Sequence, residues 1–508
     1  MGIIVRQSLK ASLGFYIGAL VGIINQMFIS THFLSVEQLA ISRLLVENAI
    51  LFATFSHLGA PFIADKFFGQ FRNDEEQHHG LLFFLLGLPL IGGGLFTLLY
   101  WAFTPAIKSY FSSQSPLLVQ YHYLVIPFTF LWIYLLVLES YTRNHSRIAI
   151  PSFIREVYLR VANVLLVLMF GFGWFSFDVL LYLVIGAYAL AVGILIFYIA
   201  RLGRLYIRWP DRRMFNGKQV RTMLGYGSYT LIGGLGVSII LTLDRSMLAG
   251  EKGLVSAGIF IIASYIASII EIPKKAISQI SIPFLSDALR SERREDIQSL
   301  TRKSALHQLL VGGFFFLLLW VNIDDIFKLL PKGETYGDGK LVVLLIGLVK
   351  LFDIGTGLNT EIILYSRHFR WSTILTITAA VVSLFLNFWL IPSYGFTGAA
   401  IAAALSTLGL SGFKLAFVWQ HYKISPFTRR TFLTIVIWVI SLLLNFLLPE
   451  FPAGNYWTIL LSILLRSITV GGTFIFLIFL CRVSPEISSI TDNWLKQFPP
   501  FPRGKKRK

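Results

Sequence analysis

The sequence predicts an all-α polytopic membrane protein with about fourteen transmembrane helices. The helices are expected to form two six-helix lobes in a parallel repeat, followed by two appended helices. Of the 508 residues, 55% are hydrophobic and 14% are charged, whereas a soluble domain carries roughly 25% charged residues. Apolar runs long enough to cross a bilayer recur along the chain. Short motifs also recur at a nearly constant offset, which indicates an ancient duplication.

The duplication is indicated by two pairs of similar segments and by Asn163 and Asn387, which lie 224 positions apart. Pro61–Asp65 returns 222 positions later as Pro283–Asp287, and Tyr141–Asn144 returns 224 positions later as Tyr365–His368. Six spans are an even number, so both copies enter the membrane from the same side. A pseudo-twofold axis along the membrane normal is therefore expected, as in transporters built from parallel repeats.

The spans and domains follow from the apolar runs between these landmarks. The predicted spans are 11–31, 37–60, 80–103, 116–140, 148–171, 178–200, 222–243, 254–283, 305–323, 341–364, 371–391, 396–420, 431–449 and 457–481. The predicted domains are an N-terminal lobe at 1–205, a C-terminal lobe at 206–425, two appended helices at 426–481 and a basic cytoplasmic tail at 482–508.

The positive charge of the chain is distributed unevenly across these spans. With the N-terminus in the cytoplasm, lysines and arginines collect in the cytoplasmic loops, as in the linker 201–221. The opposite face holds only Lys108, Arg245, Lys252, Lys328, Lys332 and Lys340. This asymmetry follows the positive-inside rule, so both termini are predicted to be cytoplasmic. The net charge of +18 then faces anionic lipid head groups, and no nucleic-acid partner is expected.

Several classes of enzyme are excluded by the absence of their motifs. The chain contains no phosphate-binding loop, HExxH pair, CxxC pair or nucleotide-binding fingerprint. The longest outer segment, 322–340, has about 20 residues, which is too few for a separate catalytic domain. We therefore expect a transporter rather than an enzyme, with no metal or other cofactor.

Charged residues at membrane depth are the candidate functional residues, because burying a charge in a bilayer is costly. Arg43 and Glu47 lie four residues apart and so share one helix face. One interpretation is a self-neutralising pair that snorkels outward. The other is a charged wall of a central cavity.

Two further helices carry charges beside a helix-breaking residue. Glu271 and Lys274 flank Pro273, which removes a backbone donor and kinks a helix. Lys350 and Asp353 precede the Gly355–Gly357 break, an arrangement typical of the interrupted helices that form transporter sites. The alternatives are contact with lipid head groups for Lys274 and a buried structural ion pair for Lys350 and Asp353.

The remaining candidates lie in the first, fifth and seventh spans. Arg160 falls near mid-depth, and Asp244 and Arg245 lie at the outer end of the seventh span, where Asn25 and Gln26 are their counterparts in the first. An outward gate and simple helix capping both fit the pair 244–245. Predicted cavity residues are Arg43, Lys274, Lys350, Arg160, Asn25 and Gln26; predicted ion-coupling or gating residues are Glu47, Asp353, Glu271, Asp244 and Arg245. The excess of cations among them suits an anionic substrate.

Two segments resemble a known family. Asn387–Ala402 resembles the turn between the eleventh and twelfth spans of bacterial polysaccharide flippases of the Wzx type, which belong to the multidrug/oligosaccharidyl-lipid/polysaccharide exporter superfamily. Asp244–Leu248 followed by Ala257–Phe260 is similar to that family's seventh-to-eighth span segment. The length and the duplication agree over nearly the whole chain.

The resemblance implies two lobes around a central cavity and transport by alternating access. It implies an undecaprenyl-diphosphate-linked oligosaccharide as substrate, moved from the inner to the outer leaflet of the bacterial cytoplasmic membrane, with coupling to H⁺ or Na⁺. Other polysaccharide assembly proteins are then expected as partners. Only Asp244 and Arg245 fall on a recognisable motif, so the resemblance assigns roles to no other candidate.

Three alternatives stay open at this stage. A lipid II flippase and a cation-coupled multidrug exporter would share the fold. The exporter usually places an acid within its first span, whereas this chain offers Asn25 and Gln26 there. A membrane glycan polymerase or ligase would be similarly apolar but needs a large outer loop.

Overall fold

The computed structural model describes residues 15–447 and 455–484, apart from the side chains of Ala276 and Gln279, and every regular element in them is helical. The start of the predicted first span, part of the turn after 447 and most of the basic tail lie outside the described residues. The helices are α1 (15–33), α2 (Val36–Ser56), α3 (Ala60–Phe71), α4 (Leu81–Ser112), α5 (Pro116–Asn144), α6 (149–171), α7 (Phe177–Arg201), α8 (Gly217–Ser268), α9 (Ile272–Arg290), α10 (Arg294–Val321), α11 (Ile323–Leu329), α12 (Gly333–Gly337), α13 (Lys340–Gly355), α14 (Asn359–Tyr365), α15 (Phe369–Tyr422), α16 (Arg429–Leu444) and α17 (Tyr456–Leu480).

The lengths and apolarity of these helices confirm a multi-pass membrane protein. Nine helical stretches of the described residues are long and apolar enough to cross a membrane, or ten if α13 and α14, which meet at a bend of 55°, form one broken span. The predicted break at Gly355–Gly357 is thereby confirmed. The count of about fourteen spans stays a prediction.

Two of the helices are much longer than a bilayer is thick. α8 has 52 residues and α15 has 54, so each would extend about 80 Å if straight. Both are interrupted by a glycine with positive φ, Gly253 (φ 85°) in α8 and Gly395 (φ 56°) in α15. Glycine adopts this conformation without the steric penalty that a Cβ imposes. Both glycines lie within predicted turns, Gly253 between the seventh and eighth spans and Gly395 between the eleventh and twelfth.

Local sequence signals explain where several helices begin. Ser35 precedes α2 and forms a capping box with Gln38, and Thr428 precedes α16 and forms one with Thr431. Each box satisfies backbone N–H groups that the first helical turn leaves unpaired. α3 follows Gly59, which has φ 79°, and carries Pro61 in its first turn, where proline costs no hydrogen bond.

The described chain divides into two compact units that do not follow one cut in the sequence. Of the described residues, unit 1 comprises those within Met1–Ser264, Leu330–Val342 and Arg370–Leu410, and unit 2 comprises those within Tyr265–Leu329, Val343–Phe369 and Ser411–Lys508. The predicted lobes 1–205 and 206–425 stay a prediction.

Each unit has its own hydrophobic core. In unit 1, buried residues of α3, α4, α5 and α7 pack together around Phe71 and Tyr141, both fully buried. In unit 2, one cluster joins α10, α16 and α17 through Leu317, Ile437 and Phe474. A smaller cluster joins α10 to α13. These cores fix the helices on which the charged candidates lie.

Candidate functional site

In unit 1, the predicted pair on α2 is extended by a cation from α8. Arg43 Nη2 lies 3.5 Å from Glu47 Oε1, and Arg245 Nη1 lies 2.5 Å from the same oxygen. The shared helix face predicted for Arg43 and Glu47 is confirmed. Because both guanidinium groups converge on Oε1, Glu47 Oε2 has no hydrogen-bond partner among the described residues. A carboxylate held in this way has one oxygen left for a proton or cation.

The same two helices are joined at two further levels. Ser246 Oγ donates to Asn48 Oδ1 at 2.7 Å, and Thr54 Oγ1 lies 3.0 Å from Ser238 Oγ. From Glu47 to Thr54 along α2, the contacting residue of α8 changes from Arg245 back to Ser238. The two helices therefore run antiparallel. Asp244 is buried, and its carboxylate accepts the Arg245 backbone N–H at 2.8 Å. This motif therefore lies within a polar seam between α2 and α8.

The candidates of α1 and α6 belong to a second polar contact of unit 1. Asn25 Nδ2 donates to Asn163 Oδ1 at 2.8 Å, and Gln26 is buried with its Nε2 unpartnered among the described residues. Arg160 Nη2 lies 2.9 Å from Glu156 Oε2, one helical turn earlier. The sequence analysis missed Glu156, although the spacing of four residues is the one that identified Arg43 and Glu47.

In unit 2, the predicted charges form what we call the unit 2 ladder: Glu271, Lys274, Lys350 and Asp353. Lys350 Nζ donates to Glu271 Oε2 at 2.6 Å, and Lys274 Nζ donates to Asp353 Oδ2. In both pairs the two residues are 79 positions apart, so residue numbers rise together along the two paired segments. Lys350 and Asp353 do not pair with each other, because each meets an opposite charge on the neighbouring helix.

The unit 2 ladder is only partly buried. The four side chains keep between 15% and 32% of their surface exposed. Two opposite charges that remain accessible can exchange partners with an incoming ion at a smaller desolvation cost than a fully buried pair. This arrangement differs from a dry structural ion pair.

Polar groups of α14 and α15 surround the ladder. Ser411 Oγ donates to Asp353 Oδ1 at 2.6 Å, and Lys414 Nζ donates to Thr360 Oγ1 at 3.2 Å. Asn359 is 1% exposed, yet neither polar atom of its amide has a hydrogen-bond partner among the described residues. A buried amide without partners is costly. Sequence reasoning did not find Ser411, because a lone serine in an apolar helix gives no signal.

The two repeated motifs of the first copy contact each other in unit 1. Asp65 Oδ2 accepts from Arg143 at 2.6 Å, and Asp65 Oδ1 accepts from Ser140 at 2.7 Å and from Asn144 at 3.2 Å. In the second copy, Asp287 pairs with Arg293 instead. The motifs therefore mark a junction at one end of the helices, and the two copies use it differently.

A histidine outside the membrane spans lies next to this junction. The ring of His145 lies 4.8 Å from the rings of Phe68 and Tyr141 and 5.2 Å from that of His78. Burial, with smaller contributions from the charges of His78 and Arg72, lowers the pKa of His145 to about 4. His145 is therefore neutral at physiological pH.

No group of three or more His, Cys, Asp or Glu side chains within 15–447 and 455–484 is arranged to hold a metal ion. The polar clusters of both units instead pair cations with carboxylates. Such clusters can bind anions, protons or monovalent cations when one partner is exchanged. The roles of the individual side chains stay predictions.

The fold is similar to those of solved membrane transporters. The lipid II flippase MurJ in its inward closed conformation matches 93% of this chain and 99% of its own, with a TM-score of 0.72 and 13% identity. An inward-facing multidrug resistance MATE family transporter of the MOP superfamily covers 83% of this chain and 95% of its own, with a TM-score of 0.61 and 15% identity. A MOP superfamily transporter from Pyrococcus furiosus reaches a TM-score of 0.57 at 16% identity, with coverage of 83% and 95%. The chain therefore has a MurJ- and MATE-like fold.

A match to a family model shows to which family the chain belongs. The family model described as polysaccharide biosynthesis protein matches residues 4–289, more than half of the chain. The protein belongs to the polysaccharide biosynthesis protein family, as the resemblance of its two motif segments predicted. The chain also resembles part of the capsular polysaccharide biosynthesis protein CapF of Staphylococcus aureus: the two are 27% identical over 168 residues, which is 32% of this chain and 41% of CapF.

Proposed function

We propose that this protein is a flippase that moves an undecaprenyl-diphosphate-linked oligosaccharide from the inner to the outer leaflet of the bacterial cytoplasmic membrane. The observation that carries the proposal is membership of the polysaccharide biosynthesis protein family over residues 4–289. The MurJ-like fold supports transport by alternating access rather than catalysis. Both termini are cytoplasmic in this proposal, because the lysines and arginines of the loops then obey the positive-inside rule.

The unit 2 ladder suggests how such a protein recognises its substrate. A diphosphate is anionic and can replace a carboxylate as the partner of an ammonium group. Lys274 and Lys350 each form an ion pair with one carboxylate. In this proposal, each lysine binds the diphosphate when its ion pair breaks. The partial exposure of the four side chains supports this exchange.

The same exchange couples transport to an ion. A proton or Na⁺ on Asp353 or Glu271 neutralises the carboxylate and frees the lysine next to it. Ion binding at the carboxylate and diphosphate binding at the lysine are thus thermodynamically linked, which is the condition for coupling. Glu47 in unit 1 has the same relation to Arg43 and Arg245, with one oxygen that has no partner among the described residues.

Complementation of a strain that lacks its polysaccharide flippase tests the proposed cations. Arg43→Ala, Lys274→Ala and Lys350→Ala should each lower surface polysaccharide at least tenfold, while Arg293→Ala, which breaks the exposed pair with Asp287, should not. Each variant is compared at equal membrane abundance. Normal polysaccharide from all three alanine variants would contradict the role of these cations.

A lipid II flippase is the second candidate, and the similarity to MurJ over 93% of the chain favours it. The two candidates share a polyprenyl diphosphate and differ in the attached glycan. Depletion of the host lipid II flippase separates them. Rescue of growth by this protein would favour the second candidate, and rescue of surface polysaccharide alone would favour the first.

A further inference from the structure

Unit 2 also contains a basic pocket that shares no lining residue with the unit 2 ladder. It has a volume of about 760 Å³ and is formed by the start of α10, Thr428 and the start of α16. Its charged and titratable lining residues are Glu295, Arg302, Lys303, His307, Arg429 and Arg430. Four cations therefore face one acid. The proposed transport mechanism uses none of them.

The pocket is held together by hydrogen bonds from α10 to the segment before α16. Gln298 Nε2 donates to the Ser425 carbonyl at 2.7 Å, and its Oε1 accepts the Ser425 N–H at 3.2 Å. Arg294 donates to the Lys423 carbonyl at 3.0 Å. The capping box of Thr428 then fixes the first turn of α16. These contacts place the cations of α16 beside those of α10.

The three arginines of the pocket are available to an anion. Arg302, Lys303, Arg429 and Arg430 are all exposed. Arg302, Arg429 and Arg430 make no ion pair with another residue of 15–447 or 455–484. Arg429 and Arg430 also lie in the first turn of a 16-residue helix, where the helix dipole favours negative charge. Guanidinium groups bind phosphate oxygens in pairs, with defined geometry.

We propose that this pocket binds the phosphate of an anionic membrane phospholipid, such as phosphatidylglycerol or cardiolipin. Beyond the cations, α16 continues as an apolar helix through Ile435, Ile437 and Trp438, so the pocket lies where a polar head group meets the bilayer interior. Basic pockets between transmembrane helices prefer anionic lipid head groups. The inference does not depend on the transported substrate.

Native mass spectrometry of the purified full-length protein tests the proposal. Protein is titrated with phosphatidylglycerol, with phosphatidylcholine as the zwitterionic control. Arg429→Gln/Arg430→Gln should weaken retention of the first phosphatidylglycerol by about tenfold or more, since each cation near an anionic lipid contributes about 1 kcal/mol. Arg429→Lys/Arg430→Lys should keep most of it, and Arg212→Gln/Arg213→Gln, which removes two exposed cations of unit 1, should bind like the wild type.

A second pocket variant shows whether a loss of lipid binding results from misfolding. Arg302→Gln/Lys303→Gln removes the cations from α10 and should cause a similar loss, with an unchanged melting temperature. Unchanged phosphatidylglycerol retention in both pocket variants would overturn the proposal. Equal retention of phosphatidylcholine would do the same, as would displacement by equimolar inorganic phosphate or undecaprenyl diphosphate.

Discussion

Several charged side chains of both units have partners on other helices, in addition to the pairs formed by neighbours in sequence. The pair Arg43 and Glu47 follows from a spacing of four residues, and the structure confirms it. Arg245 lies 198 residues from Glu47, and nothing in a single sequence shows that they meet. Nor does a single sequence show that Lys274 meets Asp353 or that Lys350 meets Glu271. Sequence thus predicts ion pairs within one helix better than ion pairs between helices.

Removal of one member of the unit 2 ladder tests its energetic role. Lys274→Ala removes the ion pair of Asp353, whose remaining hydrogen bond comes from Ser411, and should lower the free energy of unfolding by about 1–3 kcal/mol, because a partly buried carboxylate loses its direct counter-ion. The double variant Lys274→Ala/Asp353→Ala should recover most of that loss. The measurement is thermal unfolding in detergent.

The exposed pair Arg293 and Asp287 is the matched control, with side chains 52% and 66% exposed. Arg293→Ala should change the free energy of unfolding by less than about 1 kcal/mol, since solvent screens the pair. If the Lys274→Ala and double variants were equally unstable, the two charges would not be coupled.

His145 makes the stability of unit 1 depend on pH. Its pKa is about 4 in the folded protein and about 6.5 in an unfolded chain. The unfolded chain therefore binds the proton more readily, and stability should fall as the pH drops from 6.5 to 4, by up to about 3 kcal/mol. His145→Phe, which keeps a ring against Phe68, should flatten this dependence.

The comparison is made by thermal unfolding at several pH values. A slope identical to that of the wild type would contradict the assignment.

At the scale of the element, glycines explain where the helices break and turn. Gly253 and Gly395 interrupt α8 and α15, and the sequence placed turns at both. The bend between α13 and α14 was likewise predicted from Gly355–Gly357. The lengths of the flanking helices were not, since polar residues continue many helices past the apolar run. At α2 and α16, a capping box marks the residue at which the helix begins.

Gly59 provides the sharpest test of an element boundary. It has φ 79°, and a Cβ built on it would lie 2.3 Å from the Cα of Gly227, which is backbone and cannot rotate away. Gly59→Ala should therefore lower the free energy of unfolding by about 2–4 kcal/mol. Thermal unfolding in detergent measures it.

Gly69→Ala is the matched control within the same helix, α3. No atom lies within 4 Å of a Cβ built there, so the change should stabilise the helix by about 0.5–1 kcal/mol. Equal effects of the two substitutions would contradict the close approach of Gly59 and Gly227.

At the scale of the whole molecule, the sequence predicted the class of fold and the family. Composition and apolar runs were sufficient for a polytopic helical membrane protein, and the segments around Asp244 and Asn387 for the family. The division into two compact units was harder to predict from the sequence. α8 and α15 each contribute residues to both units, and this assignment depends on three-dimensional packing that no local pattern encodes.

Reconstitution into liposomes tests the central claim most directly. Purified protein is inserted into vesicles that contain a fluorescent undecaprenyl-diphosphate oligosaccharide, and a membrane-impermeant quencher reports how much of it reaches the outer leaflet. We expect protein-dependent transfer that the double variant Lys274→Ala/Lys350→Ala reduces at least tenfold. Transfer no faster than in protein-free vesicles, with the protein folded and inserted, would contradict the account.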